Sequence, residues 1–313
     1  MSLARTAFLE RLDSFGVAIL EPGLISRDPS QVGHNNTARL LRNGLAVAGF
    51  ALLEDFIRSR TQEVLERLSS GQLPFDSLPD ELREACVFGA TKAVAYHGDI
   101  KKRQHEDYLS FIQEHGRLIG STSSSGYQLS PMSLGWERPN LNHDDVKEIL
   151  RAFKIKDGWG NIDSLAARVG LASPSLCEAF RQSALRRHRA AHKADVDTET
   201  SQLDSFVSQA LGIAIAFDAL ISKSLRRLLD RDSTFLSDSG DILHSDVSVR
   251  FLDKGQDGWW REMKENGQRA VRRTQDVVTL KSECLARADA RRDLIVIRKV
   301  SQQPTEWLIP EVD

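Results

Sequence analysis

The segment Arg186-Arg187-His188-Arg189-Ala190-Ala191-His192 places two kinds of phosphate chemistry within about two helical turns. An arginine guanidinium grips phosphate through a planar fork, and a histidine moves a proton near neutral pH. Metal-free RNA cleavage asks for these groups. A base takes the ribose 2′ proton as that oxygen attacks phosphorus, an acid protonates the leaving 5′ oxygen, and a cation holds the charged phosphorane. On a helix His188 and His192 stack on one face, four apart. Arg187 lies about 100° from the first and about 140° from the second. The apolar stripe of Leu176, Phe180, Ser183 and Ala184 runs on to Arg187 and Ala191. Arg187 therefore falls on or beside the buried face, where a guanidinium needs a carboxylate, several carbonyls or a bound phosphate. Arg181, Arg186, Arg189 and Lys193 ring the same segment as a local basic patch. One chain offers one Arg187 and one His192, whereas a two-fold dimer pairing these helices offers two of each in one groove.

The spacing alone is not specific. Arg-x4-His recurs from Arg138 to His143, where Pro139 forbids a single regular helix. The same arginines and histidines also read as a solvated charge cluster that suits the C-terminal end of a helix dipole.

At 313 residues the chain can hold one large domain or two ordinary ones. Its formal charge of −2 excludes a wholly basic nucleic-acid binder, so any basic surface is local. Cys86, Cys177 and Cys284 lie far apart with no CxxC spacing, which argues against a zinc site or disulfide framework and suits a reducing cytosol. No metal and no cofactor is expected. The start, MSLARTAFLERLDSFG, lacks a signal-peptide core. The longest apolar stretch, Ala210 to Ile221, contains Asp218 and reads as a core helix, not a membrane span.

The elements that must position the histidines follow from periodicity. Leu41, Leu45, Ala48, Leu52 and Phe56 predict a helix over 36–70, broken by Gly71, Pro74 and Pro79. A second helical pattern covers 80–119, with a break at Gly98 and Asp99. Residues 120–142 are rich in Ser, Gly and Pro and predict a long loop, a candidate for flexibility or function. Asn142 caps a helix that stops near Gly158, and a short amphipathic piece covers 162–169. Ser173 and Pro174 predict the cap and first position of the helix that carries the histidines, ending near Lys193. A long apolar helix spans 199–229. After Asp230 the pattern changes: 232–246 is turn-rich, 247–252 and 294–297 read as strands, 283–292 could be a helix, and 307–309 would return as a hairpin strand. The chain is thus expected to be mainly α, an up-and-down helical bundle followed by a small α+β C-terminal domain. The boundaries are an N-terminal extension over 1–30, the bundle over 31–230 and the small domain over 231–313.

ALRRHRAAHKAD, the helix ARLLRNGLAVAGFALLEDFIRSR, the segment GWERPNLNHDDVKEILRAFKIKDGW and the apolar helix after 199 together resemble the HEPN superfamily, including its RiboL-PSP-type groups, over roughly residues 31–230. The resemblance implies a HEPN-like bundle that dimerises through the helices carrying Arg187, His188 and His192 and cleaves RNA without metal. Arg187 and His192 then form the site and His188 orients or assists, with Arg186, Arg189 and Lys193 as candidate RNA contacts. It implies RNA and a second copy of the chain as partners, an antitoxin or defence-system protein as a further one, no membrane, and a cytoplasmic toxin or antiviral effector. Many members have glycine after the histidine, where this chain has Lys193. The superfamily also holds members that bind RNA, nucleotides or partner proteins without cutting.

Other residues carry two readings each. Glu54 and Asp55 are an exposed acidic pair or partners of Arg187 across the bundle. Trp259-Trp260 anchors the small domain or stacks on bases. Arg269, Arg272 and Arg273 are a solvated face or a phosphate track.

Overall fold

The computed structural model describes residues 2–70, 73–193, 195–237, 240–289 and 294–310. The expected break at Gly71 and the end of the helix expected over 283–292 lie outside them. The described chain is mainly helical, with a small mixed sheet near its C-terminus. It divides into two compact units that interleave along the sequence: Met1–Phe56, Trp159–Ala219 and His244–Asp313 in one, Ile57–Gly158 and Leu220–Leu243 in the other. The segment after residue 231 contributes to both.

The first unit begins with α1 (Leu3–Ala18), inside the stretch expected as an extension. Ser2 caps it, and Ala4, Phe8, Leu12 and Phe15 recur on one face and are buried. α2 (Val32–Ser70) and α9 (Thr200–Leu229) are long enough to serve both units. In α9 the most apolar window is long enough to cross a membrane by composition, yet 78% of it is buried within the protein, as in a core helix. α7 (Gly158–Arg168) and α8 (Leu176–His192) complete the helices of this unit that precede the sheet.

The sheet has the order β3-β2-β1-β4-β5, with β1 (Val249–Lys254) parallel to β4 (Leu294–Arg298) and the other neighbours antiparallel. β2 is Trp260–Lys264, β3 is Arg272–Thr274 and β5 is Pro304–Leu308. Four consecutive apolar residues, Leu294 to Ile297, are all buried because β4 is covered on both faces. On one face Leu252, Ile295, Ile297 and Leu308 pack with Leu280, Cys284 and Ala288 of α11 (Val277–Asp289). On the other, the Trp307 ring meets Phe8 and Phe56 edge-on, with centroids 6.1 and 5.9 Å apart. Between β2 and β4 the chain forms β3 and then α11.

Behind Trp307 lies the polar centre of this unit. Asp218 of α9 is fully buried and accepts from Arg5 Nε (3.1 Å), Arg5 Nη2 (2.9 Å) and Trp307 Nε1 (2.8 Å). Arg168 of α7 grips Glu265 with two hydrogen bonds (2.8 and 2.6 Å) and donates to the Val247 carbonyl, tying that helix to the sheet.

In the second unit the pattern over 80–119 becomes α3 (Asp80–Glu84), a π-helical turn (Ala85–Gly89), α4 (Ala90–Arg103) and α5 (Tyr108–Ser121). The break falls at His105, whose φ is +57°, and not at Gly98. Gly98 lies inside α4, where a Cβ would stand 2.9 Å from Ile112 Cδ1, so its glycine serves close packing of α4 on α5. Gly158 likewise does not end α6 (His143–Ala152) but opens α7. The turn between them uses left-handed backbone at Lys154 and Asp157. Asn142 caps α6 in a reciprocal box with Asp145.

Residues 122–142 form a loop with one 3-10 turn (Pro131–Ser133), and it is strapped down. Arg58 lies over the Trp136 ring at 4.5 Å and donates to the Gly135 and Arg138 carbonyls. His97 Nε2 donates to Trp136 O at 2.9 Å, and Ser69 Oγ accepts from the Leu129 amide.

Asp218→Ala should cost about 3–5 kcal/mol, because it removes the buried countercharge of Arg5 and two of its hydrogen bonds. Arg11→Ala, at an ion pair more than half exposed on both sides, should cost no more than about 1 kcal/mol. Urea unfolding followed by tryptophan fluorescence separates the two.

Candidate functional site

α8 starts later than its sequence suggests. Ser175, not Ser173, is the cap: its Oγ accepts the Glu178 amide, and Asp163 of α7 accepts the Leu176 amide at 2.7 Å. Pro174 therefore precedes the helix. With Asp163 holding the first amide, two side chains satisfy donors that an uncapped start would leave open.

The helix buries Leu176, Phe180 and Ser183. Phe180 packs between Phe50 of α2 (5.2 Å) and Trp159 of α7 (5.5 Å), which fixes the rotation of α8 about its axis. That rotation sets the fate of each charged residue on the next two turns. His188, Arg189, His192 and Lys193 are exposed, and Arg186 and Arg187 are half-buried. The two imidazole rings are in tilted contact, with centroids 4.7 Å apart and planes 54° apart. Arg187 carries a buried Nε with no hydrogen-bond partner among the described residues. Neither Glu54 nor Asp55 resolves this. Asp55 is exposed and pairs with Arg11, and Glu54 is buried, against its reading as half of an exposed pair.

Arg186 differs from its neighbours. It donates to Ser183 Oγ at 2.9 Å, and burial pulls its guanidinium below the usual value. It also lines a small cavity with Phe15, Gly49 and Phe206. Arg181 pairs with Glu178 one turn back. The freely presented charges at the end of α8 are thus Arg189 and Lys193, beside the two histidines. Lys193 ends the helix in extended backbone (φ −130°), a conformation open to any side chain, so glycine is not needed there.

Sequence reasoning missed the device that holds this end in place. The chain after α8 is clamped by two adjacent residues of α2, Arg42 and Asn43, both buried. Arg42 Nε donates to the Thr198 carbonyl (2.7 Å), and its other nitrogens reach Asp197 and the Leu24 carbonyl. Asn43 donates to the Val196 carbonyl (2.6 Å) and accepts from the amide and hydroxyl of Thr198. The one sequence signal is a polar Arg-Asn pair inside the apolar period of Leu41, Leu45 and Ala48.

Of the other candidates, Arg272, Arg273, Trp259 and Trp260 have partners within the sheet region. The Arg273 guanidinium lies over the Trp259 ring at 4.6 Å and pairs with Asp257, while Arg272 pairs with Glu283. Trp260 packs against the α11 core. His143, the end of the second Arg-x4-His match, opens α6, with Arg138 in the loop before it. Among the described residues no three His, Cys, Asp or Glu side chains converge at metal-ligand spacing.

The clamp makes a prediction. Asn43→Ala leaves the Thr198 amide and the Val196 carbonyl without their partner and should cost about 1–3 kcal/mol. Exchange of the Thr198 amide should speed up in step. His188→Ala, on an exposed surface, should change stability by no more than about 0.5 kcal/mol. Hydrogen exchange and denaturant titration measure both.

Comparison of the chain with family models, curated proteins and solved structures returned no match.

Proposed function

We propose that this chain is an endoribonuclease of the HEPN type that cuts RNA through attack of the ribose 2′-OH and acts as a homodimer. The observation that carries the reading is Arg187, a half-buried guanidinium whose buried Nε lacks a partner among the described residues, one position before the contacting pair His188 and His192. An unpaired buried donor is costly in free protein and favourable once an anion accepts from it. A scissile phosphate is such an anion. Arg187 holds it and stabilises the phosphorane, His192 serves as acid or base, and His188 orients His192 or the substrate. Arg189 and Lys193 contact the flanking backbone, with Arg186 supporting from its half-buried position. Two proton carriers of this kind, each worth about 10²–10⁴ in rate, come from pairing two α8 helices about a two-fold axis. The biological setting that fits is a cytoplasmic toxin or antiviral defence effector held in check by a partner protein.

A second reading has one observation in its favour. His188 and His192 contact each other, and no carboxylate or carbonyl orients either ring among the described residues. A non-catalytic HEPN module that binds RNA or a partner subunit needs no such orientation.

The test is incubation of the purified protein with total RNA in EDTA. Wild type should cut, and Arg187→Ala and His192→Ala should each lower the rate by at least about 10²-fold. Cleavage that survives both changes, or that strictly requires added metal, contradicts the proposal. Salt-dependent RNA binding without cleavage selects the second reading.

A further inference from the structure

The second unit contains a cavity of about 360 Å³, to which α8 contributes no lining residue. That volume suits a small organic ligand. The π-helical turn supplies one wall. Such turns occur often at functional sites because the extra residue pushes side chains out of helical register. Here it presents Phe88, a residue 56% exposed. Glu84 precedes that turn, Glu137 comes from the strapped loop, and Glu148, Ile149 and Ala152 come from α6.

The wall carrying Glu137 is fixed before any ligand arrives. Arg58 and His97 hold the loop through Gly135, Trp136 and Arg138. Gly89 lets the loop approach the π turn: a Cβ there would stand 3.3 Å from both Glu137 Oε1 and Ser133 O. A site organised in advance loses less entropy on binding.

The charges around the cavity are unevenly matched. Glu81 is taken by Arg151 (3.2 Å), and Asp145 accepts the Asn142 amide (2.7 Å) as part of its capping box. Lys92 lies over the Phe88 ring at 4.2 Å. Glu84, Glu137 and Glu148 have no ion-pair partner among the described residues. Partial desolvation, reinforced by Asp145 and Glu137 and partly offset by Arg138, raises the Glu148 carboxyl above its usual value although the residue is exposed. The carboxylates are spread around the cavity and do not converge as metal ligands would. The Phe88 ring, partly covered by Lys92, and the apolar Ile149 and Ala152 line the same cavity. An alkylammonium or guanidinium satisfies both sets of residues, with charge to the carboxylates and ring and stem to the apolar side chains.

We infer that this cavity binds an organic cation, a primary ammonium or guanidinium on a short apolar stem, with the charged end among Glu84, Glu137 and Glu148 and the stem against Phe88, Ile149 and Ala152. The cation is either a free amine or the basic side chain of a peptide. Calorimetric titration of the full chain with agmatine, spermidine and an arginine-containing peptide tests it, with Mg²⁺ as the competing ion. One-to-one binding should appear for agmatine or the peptide. Glu148→Gln and Phe88→Leu should each weaken it by about tenfold or more. Both variants should melt close to wild type, since Glu148→Gln removes a charge its surroundings oppose and Phe88 is half in solvent. Tighter binding of the peptide than of agmatine assigns a protein side chain as the source, and the reverse order assigns a free amine. Absence of binding by all three probes at millimolar concentration, equal affinity in the variants, or displacement of agmatine by equimolar Mg²⁺ overturns the inference.

Discussion

One buried carboxylate organises the first unit. Asp218 is fully buried, and it brings together α1 through Arg5, α9 through its own backbone and β5 through Trp307. A lone carboxylate at that depth is prohibitive, so the helix that carries it is buried with Arg5 and Trp307 in place. The polar contact therefore specifies which strand covers α9 and which helix closes beside it, while Phe8, Phe56 and Trp307 supply the apolar area. The N-terminal helix is integral to the unit for the same reason.

The candidate site depends on this framework through α2. Phe50 sets the rotation of α8 by packing on Phe180, and Arg42 and Asn43, two turns earlier on α2, clamp the chain that leaves it. α8 is thus anchored in its first half by apolar contact and just beyond its end by hydrogen bonds. Between those anchors the last turns present the histidines outward and leave Arg187 half inside. Phosphate recognition and proton transfer both need this kind of rigidity, because small misplacements of reacting groups are costly in rate.

Much of this was legible in the sequence where one local signal dominates. The apolar period of α9, the Asn142 cap, the four-residue apolar run of β4 and the half-burial of Arg187 each follow from near neighbours. The failures share a different cause. The true cap of α8 depends on Asp163 arriving from another helix. Gly98 reads as a breaker until Ile112 is seen against it. β2 carries no alternating apolar signal because its buried position Glu262 is neutralised by Arg250 and Arg287. The clamp at Thr198 joins residues more than 150 positions apart, beyond the reach of any window. Tertiary contact overrode local pattern in each case.

The central claim is that Arg187 and the histidine pair direct the ribose 2′-OH against its own phosphate. The termini of RNA fragments made by the purified wild-type protein test that most directly. The account predicts 2′,3′-cyclic phosphate or 3′-phosphate ends paired with 5′-hydroxyl ends. Fragments bearing 5′-phosphate and 3′-hydroxyl ends would contradict it, because such ends require attack by water and leave the 2′-OH with no part in the reaction.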